Sequence, residues 1–146
     1  MTTDTILKLE KLIKAPRDKV FDAWINPEVM PKWFGPEGVH VPEFSMDVRE
    51  GGKWNAVMEN GDGDRYYVSG VYTEITPHDR LAFTWAWSED GVRGPESHVS
   101  LTFGDVDGGT VMTIEHTNLD SEESRTNHQE GWDSSNTCLA KYLESN

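Results

Sequence analysis

Five histidines, one cysteine and six tryptophans carry most of the chemistry that this 146-residue chain offers. His40, His78, His98, His116 and His128 lack close ligand spacing and Cys138 supplies no thiolate cluster, so no metal centre is expected. Glu115 and His116 are neighbours, but alternation on a strand turns them to opposite faces and leaves only His116 inward, beside Met112 and Ile114. From the last helix, His128 and Asn136 are the groups able to meet it. Together they would form a polar cluster that binds a ligand or exchanges a proton near neutral pH. The alternative is a core histidine whose hydrogen bonds are satisfied internally. Trp33, Trp54, Trp85, Trp87 and Trp132 offer large, stiff apolar area with an N–H donor each, suited to lining a ligand cavity or to plain core packing. Cys138 stands one position off the helical stripe without a basic activator and reads as structural.

Other motifs are weaker. The run Asn60-Gly61-Asp62-Gly63-Asp64 copies the start of a calcium loop, but Arg65 stands where that loop needs Gly and Val71 where it needs Glu. It reads as a hairpin turn. No G-x-S-x-G elbow or P-loop occurs, and Gly61 to Tyr66 lacks the third glycine and following helix of a dinucleotide site. Acid–base chemistry would fall to His116, His128 or Asp133, and no catalytic residue is assigned. Asp47 and Arg49 share a predicted strand face at ion-pair spacing, while the acid-rich stretches Glu89 to Glu96 and Asp120 to Glu123 read as solvated ends.

These side chains need elements to hold them. Leu7, Leu9 and Ile13 alternate with Lys8 and Glu10, the pattern of a half-buried first strand. Pro16 suits a first helical turn, and Val20, Phe21, Trp24 and Ile25 recur at helical spacing until Asn26-Pro27, which predicts a helix over about 16–25. In PEVMPKWFGPEG a short second helix is interrupted by Pro31 and ended by Gly35-Pro36. Six alternating segments follow near 43–49, 53–59, 65–76, 79–88, 96–104 and 110–117, separated by glycine, proline and aspartate turns. Their inward faces carry Trp54, Ala56 and Met58; Leu81, Phe83, Trp85 and Trp87; Val99, Leu101 and Phe103; and Met112, Ile114 and His116.

The last helix starts near Ser121, where a hydroxyl cap precedes acidic residues. Within NHQEGWDSSNTCLAKYL, residues 127–143, one stripe carries His128, Trp132, Asn136, Leu139 and Leu143, with Ser135 and Tyr142 beside it. Polar groups thus stand where a core helix would carry Leu or Ile. Such a helix is either frayed or faces something partly polar. A curved sheet cannot bury its inner face alone, so the helix must lie across it, giving a two-layer α+β fold in one domain over residues 1–146.

Seven separated segments then match a known pattern in order: Val20 to Trp24, Trp33 to Pro36, Asp47 to Gly52, Gly70 to Ile75, Asp79-Arg80-Leu81, Gly109-Thr110 and Gly131-Trp132. From about residue 5 to residue 143 the chain resembles the family related to the activator of heat-shock protein 90 ATPase, in the START-like (SRPBCC) superfamily. The resemblance implies the helix-grip, birch pollen allergen-like fold: a curved antiparallel sheet of about seven strands around a long C-terminal helix, with two short helices after strand one. It also implies a cavity between sheet and helix, which in many members holds an apolar ligand. The ligand-binding set expected here is Trp33, Trp54, Met58, Trp85, Trp87, Leu101, His116, His128, Trp132 and Asn136. The family commonly places an apolar residue about where Asn136 stands. Two other function classes come with the resemblance, a co-chaperone or protein-interaction module and a hydrolase or cyclase using the same cavity. The family's chaperone activator has an additional N-terminal domain, for which 146 residues leave no room, so small-molecule binding without catalysis leads.

Composition narrows the partners. Twenty-six acidic against thirteen basic residues give a formal charge of −13, which repels polyanions and excludes nucleic acid and anionic membrane as favoured partners. Hydrophobic residues at 36% still support a packed core. No apolar run approaches the roughly 18 to 20 residues of a membrane span. The start MTTDTILKLEK lacks the basic and apolar regions of a secretory signal, and with a single cysteine this predicts a cytoplasmic protein, monomer or homodimer, without a cofactor.

Overall fold

Alternation along the strands sets one face of a sheet against the long last helix. The computed structural model describes residues 5–34, 38–119 and 121–144. In chain order the elements are β1 (Thr5–Ile13), α1 (Arg17–Ile25), α2 (Met30–Trp33), β2 (His40–Met46), β3 (Lys53–Glu59), β4 (Arg65–Thr76), β5 (Arg80–Glu89), β6 (Val92–Arg93), β7 (Ser97–Val106), β8 (Gly109–Leu119) and α3 (Glu122–Glu144). All strand pairs are antiparallel. The order across the curved sheet is β1-β8-β7-β5-β4-β3-β2, with the two-residue β6 hydrogen-bonded to β5 outside this path. This is the helix-grip arrangement.

The predicted inward faces are the core. Trp54, Ala56, Met58, Leu81, Phe83, Trp85, Val99, Leu101, Phe103, Met112, Ile114 and His116 are all buried. Trp87 follows the same alternation yet is 36% exposed, because it stands at the open end of the sheet–helix interface. α3 is continuous over 23 residues and buries Trp132, Ser135, Asn136, Leu139 and Ala140. Its start is capped by Ser121, whose Oγ accepts the Ser124 N–H at 3.0 Å.

Several boundaries differ from the periodic reading. β2 runs from His40 to Met46 instead of 43–49, since Asp47 to Gly52 form a turn closed by Asp47 N–H to Lys53 O and Gly52 N–H to Arg49 O. The Asp47–Arg49 ion pair, 2.8 Å, therefore lies in this exposed turn and not on a strand face. Pro16 is the N-cap of α1 and not a first-turn residue. Pro31 lies in the first turn of α2, where a missing N–H leaves no helical bond unmade, so it does not interrupt that helix. The predicted stop at Gly35-Pro36 lies outside the described residues. β6 had no sequence signal, being only two residues long. Among the described residues no helix is long and apolar enough to cross a membrane.

Candidate functional site

The site begins with a missing side chain. Gly70 of β4 pairs with Trp54 of β3, and a Cβ there would fall 1.8 Å from the Thr84 carbonyl oxygen and 2.6 Å from Trp54 Nε1. With only hydrogen at this position, the indoles of Trp54 on β3 and Trp85 on β5 meet across β4 with ring centroids 5.6 Å apart. Trp85 then packs against Trp132 of α3 at 5.1 Å and edge-on against Trp87 at 5.4 Å.

Between these rings and the first half of α3 lies a cleft of about 490 Å³. Its floor is Met58, Trp85 and Trp87, Phe34 closes one side, and α3 supplies His128, Gly131, Trp132 and Ser135. Ser121, Glu123, Ser124 and Asn127 line it further toward the start of the helix. A smaller compartment of about 230 Å³ adjoins it behind Trp87, bounded by Glu89, Val92, Ser97 and Leu119. Trp85, Trp87, Ser124 and His128 border both.

Two indole–imidazole hydrogen bonds tie helix to sheet in opposite senses. Trp132 Nε1–H of α3 donates to His116 Nδ1 of β8 at 3.1 Å, and Trp87 Nε1–H of β5 donates to His128 Nε2 of α3 at 3.0 Å. The remaining partners fix both tautomers. Ser97 Oγ–H donates to the Trp85 carbonyl at 3.0 Å, so the 2.7 Å contact between Ser97 and His116 has Nε2–H donating to Oγ. His128 Nδ1–H donates to the Ser124 carbonyl at 2.7 Å. The two imidazoles meet edge-to-face at 4.8 Å. Burial, then the nearby His128 and His98, push the pKa of His116 down to about 3, so it stays neutral. With its one lone pair held by Trp132, it is neither a free base nor a proton donor at neutral pH.

Among the described residues, the buried side-chain atoms Trp54 Nε1, Trp85 Nε1 and Asn136 Oδ1 find no hydrogen-bond partner. Each such atom costs about 1–3 kcal/mol. Among the described residues no group of three His, Cys, Asp or Glu side chains is arranged to hold a metal ion. Cys138 is partly buried against the core.

The family model described as Activator of Hsp90 ATPase homolog 1-like protein matches residues 14–144. The chain belongs to this family. Relatives within the activator-homologue fold include the AHSA1 protein from Silicibacter pomeroyi, 37% identical, with a TM-score of 0.86 over 96% of this chain and 98% of that one. A protein from Rhizobium leguminosarum, 25% identical, has a TM-score of 0.86 over 99% and 97% of the two chains. A protein from Nitrosomonas europaea, also 25% identical, has a TM-score of 0.81 over 96% and 94%. No curated protein matches the chain.

Within this activator-homologue domain the structure divides the ten predicted binding residues. Met58, Trp85, Trp87, His128 and Trp132 come together around the cleft. His116 stands behind it, bonded to Trp132. Trp33, Trp54, Leu101 and Asn136 do not line it. Trp33 is a packing residue whose Nε1–H donates to the Ala23 carbonyl at 3.0 Å, joining α2 to α1. Trp54 packs beneath Trp85, and Leu101 and Asn136 lie buried between sheet and helix away from the opening. Phe34, Glu123, Ser124, Asn127 and Gly131 were not singled out as binding residues. Helical spacing from His128 would have found Ser124 and Gly131, at steps of four and three, and Asn127 follows at a step of four from Gly131.

Proposed function

We propose that this protein binds a small, largely apolar aromatic molecule in the cleft between β5 and the first half of α3. The observation that carries the reading is a cleft of about 490 Å³ walled by the three indoles of Trp85, Trp87 and Trp132. That volume falls in the range of small-molecule sites, whose linings are mostly apolar with few polar groups. An aromatic ligand would stack on these rings and displace water from them. The histidines support binding above turnover, since His116 is neutral with both nitrogens engaged and His128 spends its lone pair on Trp87.

The test is native mass spectrometry with a thermal-shift screen of aromatic metabolites, polyketides and lipids. A retained one-to-one adduct and a raised Tm are expected, with about 2.7 kcal/mol of added stability at a hundredfold excess over Kd. Gly131→Leu, which adds bulk to the lining, should abolish both signals while the variant stays folded. Absence of any adduct or shift across the panel, or binding unaffected by Gly131→Leu, would overturn the reading.

A further inference from the structure

We infer that the ligand of this cleft is an organic cation, an amine or quaternary ammonium group on an aromatic body. This rests on the cleft being a binding site at all. Among the described residues, Glu123 in the large compartment and Glu89 in the small one are the carboxylates of the lining, and neither compartment is lined by Lys or Arg. The nearby arginines are committed elsewhere. Arg125 pairs with Glu122 at 3.2 Å, and Arg93 pairs with Glu96 at 2.7 Å while also bonding Ser69. Among the described residues neither Glu89 nor Glu123 has an ion-pair partner, so neither cavity carboxylate is taken up by a cation of the protein.

The walls add to this. Trp87 stands at 87° to Trp85, and Trp132 closes against Trp85, so three electron-rich rings surround one space. Ring quadrupoles attract a cation, and a partly desolvated cleft strengthens the attraction. The formal charge of −13 biases encounter the same way. The start of α3 is the feature that would favour an anion, but Ser121 Oγ already accepts an N–H there and Glu122 and Glu123 occupy its first turn. An anion would meet these carboxylates before reaching the rings.

The experiment is calorimetric titration of the intact protein with three probes that share one naphthylmethyl-sized body: a trimethylammonium, a neutral alcohol and a carboxylate. The cation should bind about tenfold more tightly than the alcohol and weaken with added salt, with the carboxylate weakest. In the double variant Glu89→Gln, Glu123→Gln the cation should lose about tenfold in affinity while the alcohol is unchanged. Equal binding of cation and alcohol, or tightest binding of the carboxylate, overturns the inference and leaves the aromatic cleft standing. Failure of all three probes to bind overturns both.

Discussion

His116 shows how a residue with catalytic chemistry becomes a structural one. It is wholly buried, donates to Ser97, accepts from Trp132, and its pKa is lowered to about 3, chiefly by burial. In the unfolded chain the same imidazole titrates near 6.5. As pH falls below about 6.5 the unfolded chain gains a proton that the folded chain refuses, so stability is complete above that pH and falls toward pH 3. The expected slope from this residue is about 1.4 kcal/mol per pH unit, or about 2 kcal/mol between pH 7.5 and 5. His116→Gln should cost about 1–3 kcal/mol at pH 7.5 through lost hydrogen bonds, yet flatten the acid limb of the stability curve by that slope. Urea unfolding of both proteins at pH 7.5, 6 and 5 reads this directly. Parallel pH dependences would show that His116 is not held neutral by the fold.

At the scale of elements, strand register decides whether the cleft has a floor. Trp54 and Trp85 belong to strands separated by β4 and touch only because Gly70 lies between them. Gly70→Ala would drive a methyl into the Thr84 carbonyl, so β4 and β5 must separate; a loss of about 3 kcal/mol, at the high end of overpacking, is expected. Chemical denaturation gives the value, and a variant as stable as the parent would mean that the strands shift freely. Much of this level was legible in advance. Period-two alternation and the flanking turns placed β3 and β4 to the residue and identified the buried face of β3, because a one-residue slip would expose every large side chain. Alternation could not show depth along that face, so Trp54 and Leu101 read like cleft residues although, of the inward strand residues, Met58, Trp85 and Trp87 are the ones that reach the opening. The turn after β2 was legible at Gly51-Gly52, but not its start at Asp47. It is set by contacts distant in sequence, such as Gly51 N–H to Tyr72 O, where Gly51 has φ 85°.

For the whole molecule, the polar middle of α3 marks a division of labour along one helix. From Leu139 onward the helix buries Leu139 and Ala140 in the core, and Glu144 accepts the Lys14 N–H at 3.1 Å, tying the end to the segment after β1. From Glu122 to Ser135 it instead roofs the cleft, held by Trp132, by the two indole–imidazole bonds and by its cap. Few buried apolar contacts mean a low free energy of local opening, while a packed end opens only with the whole fold. Hydrogen exchange of the free protein should therefore be on the order of tenfold or more faster in peptides covering residues 122–131 than in those covering 136–144. Saturation with the naphthylmethyl trimethylammonium probe should slow the first set selectively, since a ligand bridging Trp85 and Trp132 must be released before the roof lifts. Uniform protection along α3 in the free protein, or slowing spread evenly over both sets, would mean that the helix moves as one body and that the cleft has no separate door.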